Sequence, residues 1–116
     1  MAGGAETSRS VLGADAALTE AVRRLVDVYR PDFIYLFGSV ARGEAGPDSD
    51  FDLLVVVADT APPQLRRAGK GYEALWGLGV PVDIVVWTRG DFDRRLHLKA
   101  SLPATVLREG VLLHAA

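Results

Sequence analysis

Leu36-Phe37-Gly38-Ser39-Val40-Ala41-Arg42-Gly43, followed after a polar loop by Ser49-Asp50-Phe51-Asp52-Leu53-Leu54-Val55-Val56-Val57, is the stretch around which this chain is organised. An apolar run stops at Gly38-Ser39 and continues in small and basic residues, the pattern of a strand feeding a short helix. The first N–H groups of such a helix point outward and favour an anion, and glycine leaves room for a phosphate to approach the backbone. A second apolar run opens with Asp50 and Asp52. Strand side chains alternate, so residues two apart share a face and the two carboxylates share one small space. Like charges that close raise one pKa, and a divalent cation between them relieves the repulsion. A phosphate turn beside a metal site points to a nucleoside triphosphate.

Gly38-Ser39, ten intervening residues and Asp50-Phe51-Asp52 resemble the signature of the polymerase-β-like nucleotidyltransferase superfamily. Ala41-Arg42-Gly43 and the apolar continuation Leu53-Leu54-Val55 resemble its small prokaryotic branch, the minimal nucleotidyltransferases. The resemblance implies an α+β fold, a small mixed β-sheet flanked by helices. It also implies that Asp50 and Asp52 hold two magnesium ions, with Asp83 completing the site and helping to deprotonate an acceptor hydroxyl. Gly38 and Ser39 would hold the triphosphate of ATP or a similar nucleotide, with Arg42 in reach of a phosphate. Val40 stands where many relatives have arginine. In the minimal branch the chain is commonly an antitoxin encoded beside a helical HEPN-type toxin, which it neutralises by adding AMP to a tyrosine hydroxyl.

The bulk properties agree with a small enzyme domain. The chain has 116 residues, 49% hydrophobic and 24% charged, as in ordinary globular domains. We read residues 1–12 as a flexible tail and 13–116 as one domain. A net charge of −2 gives no indication of general nucleic-acid binding. Absence of cysteine excludes a disulfide framework and a zinc–thiolate site. No apolar run approaches the ~18 residues of a membrane span, and the start lacks a signal peptide's apolar core, so the expected location is cytoplasmic.

Taken in order, apolar positions from Ala17 to Tyr29 fall at helical spacing, with Asp15 as N-cap and Pro31 as terminator. Phe33–Phe37 reads as a strand buried on both faces. Residues 43–49 read as a loop, and a second strand runs from Asp50 or Phe51 to about Ala58. For Ser39, at the end of one strand, to approach Asp50, at the start of the next, the two must be antiparallel. Gln64–Leu78 supports a helix with Leu65, Ala68, Tyr72, Leu75 and Trp76 on one face, weakened by Gly69 and Gly71. Val82–Trp87 is the third strand, and the long connection before it suits a parallel crossover that returns Asp83 to the acidic pair. Arg89–Lys99 is expected to be helical in part. A helix over Leu102–Glu109, capped by Ser101 and ended by Gly110, precedes a last edge strand from Val111 to His114.

Other motifs carry less. Gly69-Lys70-Gly71-Tyr72-Glu73-Ala74 matches a G-x-G-x-x-A dinucleotide fingerprint, but no strand precedes it. Neither His97 nor His114 has a metal-ligand partner three or four residues after it. Arg94, Arg95 and Lys99 read as a solvated face, and Trp76, Trp87, Phe33 and Phe37 as core. Three acids gathered at one edge of a core without a cationic neighbour in sequence are poorly explained by structure alone. About thirty residues follow the third strand, too few for an added helical acceptor-binding domain. That disfavours an aminoglycoside-modifying enzyme and leaves transfer to a partner protein, or inhibition of that partner by contact alone.

Overall fold

In the computed structural model, residues 2–44 and 50–116 are described, with side chains from residue 16 onward. Helix α1 (Ala2–Tyr29) leads into β1 (Phe33–Phe37), the short α2 (Gly38–Ala41) and β2 (Phe51–Val57). A 3₁₀ turn (Pro63–Arg66) and α3 (Gly69–Ala74) cross over to β3 (Val82–Thr88). Helices α4 (Arg89–Arg94) and α5 (Leu102–Glu109) precede β4 (Val111–Ala115). The strands form one mixed sheet in the order β3-β2-β1-β4. Strand β1 is antiparallel to β2 and β4, whereas β2 and β3 are parallel, as the placement of the acids required.

Strand β2 is central, and Leu53 to Val57 are all buried. Its alternation sends Leu53, Val55 and Val57 to one face, against Ala21, Leu25 and Tyr29 of α1 and Leu75. Leu54 and Val56 go to the other face, with Tyr35, Phe92 of α4 and Val106 of α5. The result is three layers, and each fully buried aliphatic side chain contributes about 1.5–3 kcal/mol. Ser101 caps α5 by accepting the Ala104 N–H at 3.2 Å, and the Gly110 N–H closes its last turn on the Val106 carbonyl at 2.7 Å. Among the described residues no helix is long and apolar enough to cross a membrane.

Three expectations change. Helix α1 begins at Ala2, so Asp15 lies inside it and is not its N-cap; no proline interrupts residues 2–30 and alanine and leucine recur there, which permits continuation. The helix ends where expected, with Arg30 in the left-handed region (φ 44°) ahead of Pro31. The helix expected over Gln64–Leu78 divides into the 3₁₀ turn and α3, and α3 stops at Ala74. Trp76 consequently sits in the turn beyond α3, 88% exposed, and Tyr72 is 47% exposed, so neither lies on a buried helical face. The charged segment is helical in part, as expected, over Arg89–Arg94. From residue 45, the loop expected over residues 43–49 lies outside the described residues.

Gly71 has a structural reason. A Cβ there would lie 2.8 Å from Ile84 Cδ1 and 3.0 Å from the Tyr29 hydroxyl, so a bare backbone lets α3 pack closely on α1 and β3. A 3₁₀ turn and not a strand leads into α3, as the rejection of the dinucleotide fingerprint anticipated.

Candidate active site

Antiparallel pairing of β1 with β2 puts the end of one beside the start of the other, and Phe37 faces Asp52 in the register. Parallel pairing of β2 with β3 sets Asp52 opposite Asp83. Both acids fall on the α4/α5 face, one residue before Leu53 and Ile84 turn to the α1 face. Asp50, just before β2, and Asp83 are exposed, whereas Asp52 is partly buried. Burial raises the Asp52 pKa above its ordinary value, the charges of Asp83 and then Asp50 raise it further, and Arg42 partly offsets them. All three acids and Arg42 therefore act on one field at this edge of the sheet.

Gly38 opens α2 with φ 77°, in the left-handed region that glycine tolerates. A Cβ on Gly38 would overlap Asp52 Oδ2 and lie 3.2 Å from its Cγ. The carboxylate thus occupies the space a side chain would fill. Ser39 follows within α2, where its carbonyl accepts the Glu44 N–H at 2.9 Å. Arg42 pairs with Glu44 at 3.4 Å. Val40 packs against the α1-side core, so this position directs no charge to the site.

Among the described residues no three His, Cys, Asp or Glu side chains stand close enough to form a ready metal-ligand set. The donors nevertheless fit magnesium in chemistry, being hard carboxylate oxygens. Asp52 fits it in electrostatics, since its charge is opposed by burial and by both other acids. His97 lies in an exposed segment and His114 on the β4 edge, away from these acids in the fold.

One feature was not legible in the sequence. The Gly77–Pro81 turn reaches the same sheet edge, where the Phe51 N–H donates to the Pro81 carbonyl at 3.1 Å, and the preceding Trp76 is exposed beside α1, whose Arg24 donates to the Trp76 carbonyl at 3.1 Å. The apolar neighbours of Trp76 in sequence mimic a buried helical period, and only the early end of α3 reveals it.

The family profile described as "Nucleotidyltransferase domain" matches residues 17–113. Comparison with curated proteins finds no significant match. Among solved structures, a candidate nucleotidyltransferase from Sulfolobus solfataricus is 23% identical with a TM-score of 0.59, covering 86% of this chain and 78% of its own, and shows the shared fold. A toxin–antitoxin structure with AMP-PNP contains a chain 26% identical, TM-score 0.54, over 84% of this chain and 73% of its own. A variant of the MntA-HpeT toxin–antitoxin is 22% identical, TM-score 0.53, with the same coverages. With the family profile spanning nearly the whole sheet and its helices, the chain belongs to the nucleotidyltransferase domain family.

Proposed function

We propose that this nucleotidyltransferase moves AMP from ATP to a tyrosine hydroxyl of a helical HEPN-type toxin, with magnesium, and so acts as its antitoxin. The observation that carries the reading is the meeting of Gly38, Asp52 and Asp83 at one sheet edge, with Asp52 held against an adverse field. Likeness to a chain of a toxin–antitoxin structure with AMP-PNP supports the nucleotide and the kind of partner.

In this reading Gly38 and Ser39 hold the triphosphate, and Arg42 leaves Glu44 to meet a phosphate. Asp50, Asp52 and Asp83 would hold the magnesium ions, whose chemistry is to neutralise charge on the α-phosphate and departing pyrophosphate and to sharpen the acceptor oxygen. Asp83 accepts the proton of the acceptor hydroxyl. That oxygen bonds to the α-phosphorus, the bond from the α-phosphorus to the bridging oxygen breaks, and pyrophosphate leaves carrying its electron pair. The chain's own contribution is position and charge.

The test is intact-mass spectrometry of a helical HEPN-type protein after co-expression with this chain. A mass increase of one AMP, lost with Asp83→Asn, is expected. An unmodified partner that is still fully inhibited by both wild type and Asp83→Asn would refute transfer and favour inhibition by contact.

A further inference from the structure

Strand β3 lies at the end of the sheet, so β2 pairs with it on one side and its outer backbone groups meet no strand among the described residues. The Ile84 N–H is one of these outward groups, and the Tyr72 hydroxyl accepts it at 3.0 Å. That N–H belongs to the peptide unit whose carbonyl is that of Asp83. In a trans peptide the two groups point opposite ways, so with the N–H outward the Asp83 carbonyl faces β2. The unit thus sits between the strand ladder and one phenol. Tyr72 is itself held in place. Its N–H donates to the Ala68 carbonyl at 3.0 Å, and the N–H of the preceding Gly71 donates to the Tyr29 hydroxyl of α1 at 2.9 Å. The Gly71 backbone comes so close to β3 that a Cβ there would stand 2.8 Å from Ile84 Cδ1. Helix α3 is therefore docked on α1 and β3, and Tyr72 carries that fixed position to the peptide of Asp83.

Of the three acids, Asp83 has most need of an anchor. Asp52 lies on β2, between two strands, with its carboxylate set in the space beside Gly38. Asp83 is exposed and stands second in an edge strand, opposite Asp52 in the register. A carboxylate that must meet a reacting hydroxyl loses rate steeply when it is misplaced by a fraction of an ångström to an ångström. Tyr72 is 47% exposed, and without its hydroxyl an edge N–H would bond water, so this hydrogen bond adds little to global stability. Its effect is local. We infer that Tyr72 is a positioning residue for Asp83: its hydroxyl fixes the peptide from which the Asp83 carboxylate projects, and so holds that carboxylate opposite Asp52, where the acceptor hydroxyl loses its proton. The catalytic consequence rests on the reaction proposed above, whereas the anchoring does not.

Tyr72→Phe keeps the ring and removes only the hydroxyl, so it is expected to fold and to melt close to wild type. Backbone amide exchange of the full chain, without metal or nucleotide, is followed by NMR. The Ile84 amide should exchange about tenfold or more faster in Tyr72→Phe, while those of Leu53, Leu54 and Val55 in β2 stay within about threefold. In transfer of AMP to the partner protein, Tyr72→Phe should lower kcat about tenfold and leave KM for ATP within about twofold. In the Asp83→Asn background the same substitution should change the rate by less than about twofold, because a residue that acts through Asp83 then has nothing left to position. A merely structural role would give equal losses in the two backgrounds. Equal Ile84 exchange in wild type and Tyr72→Phe overturns the anchor. An unchanged kcat, or equal losses in the two backgrounds, overturns the positioning role. If wild type transfers no AMP, the reaction proposed above fails and exchange alone decides the anchor: faster exchange at Ile84 upholds it, and equal rates overturn it.

Discussion

Gly38 and Asp52 share one volume: the carboxylate of Asp52 fills the space that a Cβ on Gly38 would enter, and Gly38 itself sits at φ 77°. Gly38→Ala therefore meets two penalties, a left-handed backbone and a displaced carboxylate. Together these should destabilise the protein by about 1–3 kcal/mol and lower transfer more than melting explains. Thermal melts and transfer rates on the same sample check this, and a variant that melts and transfers like wild type would remove the steric link between turn and acid.

Asp52→Asn should abolish transfer, by about a hundredfold or more, while raising the melting temperature at neutral pH. The sign follows from the raised folded pKa of Asp52. Its ionised form is less welcome in the folded than in the unfolded chain, so the destabilisation is present above the folded pKa. It disappears as pH falls below the ordinary value of 3.8. The advantage of Asn should thus shrink between neutral pH and about pH 4, as melts across that range will show. A large loss of melting temperature at pH 7 would mean that Asp52 is a structural acid.

Magnesium removal tests the same acids from the ligand side. ATP should bind much more tightly with magnesium than with chelator, since the carboxylates otherwise repel the phosphates. Calorimetry giving equal affinities in the two conditions would contradict a metal site at Asp50, Asp52 and Asp83.

Asp83 separates chemistry from docking. Asp83 is exposed and, in the proposed reaction, takes the acceptor proton, so Asp83→Asn should leave the complex with the partner within about threefold in Kd while lowering kcat by about a hundredfold or more. Dissociation of the complex would instead make Asp83 an interface residue.

Away from the site, Tyr29 joins α1 to the crossover. Its hydroxyl accepts the Gly71 N–H at 2.9 Å and donates to the Arg67 carbonyl at 2.5 Å. Tyr29→Phe leaves a buried N–H without a partner and should lower stability by about 1–3 kcal/mol in denaturant melts, with the affinity for ATP unchanged. No change in stability would show that the crossover does not depend on this link.

What the sequence determined by itself is local. The two-residue period of Asp50, Asp52 and the apolar run behind them places the acids at the start of a strand on one face, and the halt at Gly38-Ser39 marks a strand end followed by a turn. Ser101, Gly110 and Pro31 mark helix ends because caps and breakers act through neighbouring backbone groups. Even the relative directions of the first three strands were legible, since only antiparallel then parallel pairing brings Ser39, Asp50 and Asp83 to one edge. Tertiary structure decided the rest. Whether Asp52 faces Asp83 or a neighbour one residue away depends on interstrand register, which burial on both faces of β2 selects. That Gly38 makes room for a carboxylate as well as for a turn depends on β2 lying against β1. Trp76 carries an apolar period that reads as core, but α3 ends two residues before it because the chain must turn through Gly77 and Gly79 into β3, and that turn leaves the ring in water.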